Sequence, residues 1–209
     1  MDLLILIILG YALGSIPFGL VLAYLGGYGD IRKIGSGNIG ATNVLRTGNK
    51  PLAFVTLLLD SGKGAIAVGL SALLIHKNIL SADGFSATSL YITAAFGAII
   101  GHCFPIWLKF KGGKGVATTL GGLLAAMPIA GLGCCALWLI TAAISRMSSL
   151  SALIALLGAP VFAHMLYGDL LYVSLPTAFI TALVWVKHHQ NIARIAKGEE
   201  PKIGKKKGS

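Results

Sequence analysis

Three stretches of the chain combine residue types that could do chemistry. The first is Gly35-Ser36-Gly37-Asn38-Ile39-Gly40-Ala41-Thr42-Asn43-Val44-Leu45-Arg46. Its glycines let backbone N–H groups turn toward a bound group without interference from a Cβ, which is how chains build anion-binding nests. Ser36, Asn38, Thr42 and Asn43 add side-chain donors, and the planar fork of Arg46 suits phosphate. Ala41–Thr47 is long enough for a short helix stopped by Gly48, so the loop is expected to run into a positive helix N-terminus. The second stretch, Phe110-Lys111-Gly112-Gly113-Lys114-Gly115-Val116-Ala117-Thr118-Thr119, opens a helix whose first turn holds Thr118 and Thr119. Exposed N–H groups, the helix dipole and two ammonium groups predict a phosphate seat there. In the third, His188 and Asn191 stand three apart at a helix start. Imidazole moves protons near neutral pH, and an amide can orient a substrate hydroxyl. Arg146-Met147-Ser148-Ser149 adds two serines able to cap the next helix and contact a substrate. Each stretch also has a plainer reading: an interhelical loop, a basic loop that sets topology, and an interfacial histidine pair.

The elements that must position these residues are membrane helices. The chain of 209 residues is 56% hydrophobic and 11% charged, with mean hydropathy +0.82. Soluble domains carry about a quarter charged residues, so this composition predicts an integral membrane protein. The net charge of +10 gathers in a few loops and the C-terminal tail. With so little soluble surface, membrane lipid head groups and small anions fit as partners, and nucleic acid does not. Cys103, Cys134 and Cys135 lie in apolar runs without metal-ligand spacing and read as buried thiols. The N-terminus lacks the basic region and cleavage site of a secretory signal. No metal or cofactor is implied.

Apolar runs place spans at about 3–25, 51–75, 89–108, 116–126, 128–144, 149–165 and 170–186, with an amphipathic tail over 187–207. Gly10, Gly14, Ser15 and Gly19 give the first span a small-residue face, and Pro17 predicts a kink. The run from Val116 to Ile144 is open to two readings. One tilted helix would make six spans; a break at Pro128 makes seven, one of them short. Charge bias decides. With seven spans, all but Lys63 and Lys77 of the 17 lysines and arginines fall on one face. That face is cytoplasmic by the positive-inside rule, and the N-terminus is outside. The fold class expected is therefore an all-α polytopic bundle of about seven transmembrane helices, forming a single membrane domain with glycine-rich cytoplasmic loops.

Asp60 and Lys63 lie three apart within the second span, where they can pair; ionisable groups at that depth mark an ion pair or a functional pathway. His102, three residues before Pro105, suits a hydrogen bond at a helix end. His164 and Asp169 fit an H-x-x-x-x-D acyltransferase pattern, but they straddle a tight turn opposite the basic loops and read as chance. No Walker A loop occurs, since Lys63 and Lys114 are each followed by glycine.

Taken in order, the three stretches resemble the three motifs of bacterial acyl-phosphate:glycerol-3-phosphate acyltransferases. Gly101-His102-Cys103-Phe104-Pro105 joins the lysine loop in the second, and Gly198-Glu199-Glu200 joins His188-His189-Gln190-Asn191-Ile192 in the third. Lys187 and His189 depart from the arginines expected there. The resemblance implies transfer of a fatty acyl group from acyl-phosphate to the 1-hydroxyl of sn-glycerol 3-phosphate. The products would be lysophosphatidic acid and phosphate, in phospholipid synthesis at the bacterial inner membrane. It implies catalytic roles for His188, Asn191, Ser36 and Arg46. Substrate binding would fall to Gly37, Asn38, Thr42, Asn43, Lys63, His102, Lys111, Gly112, Gly113, Lys114, Gly115, Thr118 and Ser148. Glycine N–H groups of the second loop would hold the acyl-phosphate and stabilise the developing oxyanion. A carrier of phosphorylated or lipid anions, gated by Asp60 and Lys63, is the alternative from another class; no repeat between halves supports it.

Overall fold

The computed structural model describes residues 2–81 and 84–203. Every regular element among them is helical, in ten α-helices with short 3-10 and π turns between. Six segments are long and apolar enough to cross a membrane, and Val116–Ala126 is a shorter apolar helix. The chain divides into two compact units, residues 1–128 and 129–209.

In the first unit, proline and glycine decide where helices stop. The first apolar run is broken rather than kinked: α1 is Asp2–Gly14 and α2 is Phe18–Leu25. Pro17 has no N–H to offer the turn before it, so the chain opens at residues 15–17. A single turn, α3 (Ala41–Val44), runs into the 3-10 turn Leu45–Thr47, and Gly48 ends it at φ +88°. The long helix α4 (Lys50–His76) starts under an Asn49 cap, whose side chain accepts from the Leu52 N–H at 2.9 Å. α5 (Ala87–Cys103) ends just before Pro105, and a 3-10 turn, Ile106–Leu108, follows. α6 (Val116–Ala126) is the short apolar helix.

Small residues set how closely these helices approach. A Cβ on Gly10 or Gly14 of α1 would collide with the α5 backbone at Ala94 and Ala98, and one on Gly97 would collide with α1 at Ile7. The small-residue face expected for the first span thus seats it on α5. Gly64 of α4 and Gly121 of α6 make the same approach to Thr118 and Ser61. Leu20, Ala23, Ile31, Ile39, Val44 and Ala53 form one apolar cluster, with Leu108 packed against it. The first glycine loop and the lead-in to the second therefore rest on one patch.

Met127 interrupts the run from Val116 to Ile144, and α7 (Pro128–Ser145) begins at the proline; a single tilted helix is excluded. The second unit comprises α7, α8 (Ser148–Tyr167), α9 (Leu175–Lys187) and α10 (His189–Ala196). Gly133 and Gly158 hold the Phe162 ring. Gly168, at φ +68°, ends α8, and Asp169 caps the π turn Leu170–Ser174 by accepting from the Tyr172 N–H at 2.8 Å. That cap is the observed role of Asp169. Gly198 (φ +71°) stops α10, as expected of the tail; tail residues 204–207 lie outside the described residues.

Candidate active site

The first glycine loop is held open by its own polar groups. Asn43 is buried; its Nδ2 donates to the Ile31 carbonyl at 2.8 Å, and its Oδ1 accepts from the Ser36 N–H at 3.1 Å and from Ser36 Oγ at 3.3 Å. Asn43, expected as a substrate donor, is therefore the staple that shapes the loop. Gly35 adopts φ +56°, and a Cβ there would overlap both the Arg46 side chain and the Asn43 amide. Arg46 thus lies across a glycine and stays exposed, with Ser36 and Thr42 exposed nearby in sequence. α3 is a single turn, so little helix dipole accumulates, and the polar groups this loop exposes are side chains. Upstream, Asp30 grips Arg32 from both oxygens, with Nη2 to Oδ2 at 2.7 Å and Nε to Oδ1 at 2.9 Å. The Arg32 hydrogen bond holds the Asp30 pKa at about 2. Arg32 is committed there, which leaves Arg46 as the guanidinium of this loop.

The second loop is tied to the end of α5. Gly112 donates its N–H to the Cys103 carbonyl at 3.2 Å, and Gly113 donates to the His102 carbonyl at 3.0 Å. Helix ends leave carbonyls unsatisfied, and this loop fills two of them. The Tyr11 hydroxyl fills the next by donating to the Phe104 carbonyl at 2.9 Å. The expectation that glycine N–H groups here cradle an acyl-phosphate is thereby corrected for Gly112 and Gly113. Gly115, at φ +81°, turns the chain into α6 without any side-chain cap. The first-turn N–H groups of Val116, Ala117 and Thr118 have no partner four residues earlier in the helix. Lys111 is exposed and Lys114 half-buried.

Three more expected ligands turn inward. Thr118 is fully buried, and its hydroxyl donates to the Asp60 carbonyl at 2.9 Å, joining α6 to α4. Lys63 and His102 are buried against each other. Asp60 and Lys63 do pair, in a closed contact rather than along an open path.

The third stretch lies in the second unit. His188, between α9 and α10, is buried, and its Nδ1 stands 2.7 Å from the Val184 carbonyl. A carbonyl can only accept, so Nδ1 carries the proton and a neutral ring keeps its lone pair on Nε2. Asn191 donates Nδ2 to Glu200 Oε1 at 2.6 Å, Ser149 Oγ donates to the same oxygen at 2.7 Å, and Arg194 Nε donates to Oε2 at 2.7 Å. Burial alone would raise the Glu200 carboxyl, but these three hydrogen bonds and the Arg194 charge together hold it below the usual carboxylate range. The segment continues to Ile203, whose N–H donates to the Arg146 carbonyl at 2.6 Å. Glu200, placed in the third motif without a role of its own, is the residue on which this cluster closes. Ser149, not Ser148, meets the cluster, and the residue at the cap of α8 is Met147, not a serine.

Residues 4–198 match the family described as glycerol-3-phosphate acyltransferase. A glycerol-3-phosphate acyltransferase of Paramagnetospirillum magneticum is 56% identical over 198 residues, covering 95% of this chain and 92% of the relative.

The chain belongs to the glycerol-3-phosphate acyltransferase family.

A relative from Cereibacter sphaeroides is 55% identical, covering 95% of this acyltransferase and 89% of the relative. Among solved structures, the crystal structure of PlsY (YgiH), an integral membrane glycerol 3-phosphate acyltransferase, is similar in its glycerol 3-phosphate form. Its TM-score is 0.84 at 36% identity, over 98% of this chain and 96% of that one. The lysphosphatidic acid form of PlsY gives 0.81 at 34% identity. The acyltransferase is thus an all-helical, multi-pass membrane protein, as its composition requires.

Proposed function

We propose that the protein transfers a fatty acyl group from acyl-phosphate to the 1-hydroxyl of sn-glycerol 3-phosphate, releasing lysophosphatidic acid and phosphate. The observation that carries this reading is the apolar cluster that holds Ile39 and Val44 of the first glycine loop, with Leu108, in the lead-in to the second, packed against it. In this reading the two glycine loops are the two anion seats, with Arg46 and Lys111 exposed. Two anionic substrates need two such seats, and an acyl tail needs apolar helix surface beside them. Arg46, Ser36 and Lys114 hold glycerol phosphate in this reading; the uncapped start of α6 receives the other phosphate. An acyl-phosphate is already activated, so attack by the hydroxyl displaces inorganic phosphate directly. The reaction requires no acyl-enzyme. His188 and Asn191 serve the acceptor, and the basic loops face the cytoplasm at the bacterial inner membrane. Family membership and the two ligand forms of PlsY support the reading.

Purified protein in micelles, given acyl-phosphate and glycerol 3-phosphate, is expected to release phosphate in step with lysophosphatidic acid. Acylation that proceeds only with a thioester donor would overturn the assignment of the donor.

A further inference from the structure

The acyltransfer reading makes no use of the buried charges of the first unit. Lys63 Nζ lies 2.9 Å from Asp60 Oδ1, 2.8 Å from His102 Nδ1 and 3.1 Å from the Ile16 carbonyl oxygen. The Phe18 ring centroid stands 5.7 Å away. The side chains of Lys63 and Asp60 are each 3% exposed and that of His102 5%. The contacts to Ile16 and His102 are hydrogen bonds, and the one to Asp60 is an ion pair whose Oδ1 has no hydrogen-bond partner among the described residues. Buried this far, Lys63 is turned onto these three groups rather than offered at the surface.

Each of the three belongs to a different segment, and each segment leads to a glycine loop. Ile16 sits at the Pro17 break, just ahead of α2. At Gly19, α2 meets the first loop so closely that a Cβ would collide with the Ile39 carbonyl oxygen. The same break is met from the other side by Trp107, whose Nε1 donates to the Ser15 carbonyl at 2.5 Å. His102 receives Gly113 on its own carbonyl, and a Cβ on Gly113 would overlap the imidazole at Nε2. Asp60 receives Thr118 of α6 on its carbonyl, three residues past Gly115.

We infer that Asp60 and Lys63 are a positioning pair: one charged post that sets the second glycine loop against the first without touching either substrate. The inference rests on the assignment of those loops as the anion seats. Stability alone does not account for the pair, since apolar replacements of buried ion pairs are often neutral or stabilising. A gap between α2, α4 and α5 could be filled by leucine. Register between three segments that carry two loops needs directional bonds.

The test uses the full-length protein in micelles with Asp60→Asn and Lys63→Met combined, so that no buried charge is orphaned. Thermal unfolding, kcat and KM for both substrates are measured. A folded variant is expected, with kcat down about 100-fold, the loss that a misplacement of ~1 Å produces, and with both KM values raised together. A rise in one KM with kcat unchanged would make Lys63 a substrate ligand and overturn the inference. Wild-type values throughout would reduce the pair to packing and overturn it equally. Should the double variant not fold, Asp60→Glu moves Lys63 while keeping both charges. The same joint shift is then required, and a shift in one KM or in none overturns the inference. If the wild type were inert with acyl-phosphate, the donor assignment would fall by itself. Calorimetric affinity for glycerol 3-phosphate then decides the pair: about tenfold weaker binding in the variant supports it, and equal binding overturns it.

Discussion

Arg46 lies across a glycine that tolerates no side chain, exposed in a loop whose Asn43 is turned inward. Its value for binding is the fork. Arg46→Lys keeps the charge and loses one of two parallel bonds, so KM for glycerol 3-phosphate is expected to rise about 10- to 100-fold. That is the equivalent of a charge-assisted bond of ~1.5–3 kcal/mol. Steady-state kinetics with each substrate varied checks it; a rise confined to acyl-phosphate would exchange the two seats. The other decisive side chain is His188. Its Nδ1 bond to Val184 aims a fixed ring, which suits holding an acceptor as well as taking a proton. The acyl-phosphate carries its own basic oxygen beside the attacked carbonyl, and substrate assistance is the expected route. His188→Asn should therefore retain measurable turnover, with no histidine limb in the kcat profile. A limb in the ordinary histidine range, about 6.5, that vanishes in the variant would make His188 the base, a role worth typically ~10²–10⁴-fold.

Among the elements, the segment after α10 carries a built-in pH response. Glu200 draws Ser149, Asn191 and Arg194 together, and its carboxyl is held below the usual range. A depressed folded-state pKa gives stabilisation that is complete above the ordinary glutamate range, about 4.3, and is lost as pH falls through the lower folded value. Hydrogen exchange of the Ile203 amide, corrected for intrinsic rate, should show protection that is level from about pH 7 to 5 and falls below about pH 4. Glu200→Gln should flatten that dependence and lower protection at neutral pH by up to ~1.5–3 kcal/mol, since it removes the charge from three hydrogen bonds. Protection that ignores both pH and the substitution would show the segment to be held by Arg146 alone.

At the scale of the molecule, the open question of threading turns on α6. Eleven residues span about 16 Å, roughly half of a hydrocarbon core of ~30 Å. The seven-span threading nevertheless sends the chain across there, and it places Lys77 and the tail on opposite faces. Single cysteines at Lys77 and Lys202, both exposed, should label from opposite sides of the membrane with an impermeant thiol reagent. Labelling from one side would mean that α6 re-enters without crossing.

What the sequence determined by itself is what depends on local chemistry. Composition decided the solvent, because a chain 11% charged cannot clothe a soluble surface. Pro128, Gly48 and Gly198 marked breaks that appear as written, because a missing N–H or a positive φ acts on its own turn. Arg46 and the lysine loop read as anion-seeking from residue type alone, and Arg46 and Lys111 stay exposed in the fold. Tertiary structure decided which polar groups remain available for a substrate. Thr118 bonds to Asp60 across 58 residues and Ser149 to Glu200 across 51, while Gly113 folds back onto His102. A hydroxyl, an amide or a glycine N–H reads alike in sequence whether it will face a phosphate or a carbonyl. Only the packing of α4, α5 and α6 turns Thr118 and Gly113 inward, because buried carbonyls at helix ends must find donors before any ligand arrives.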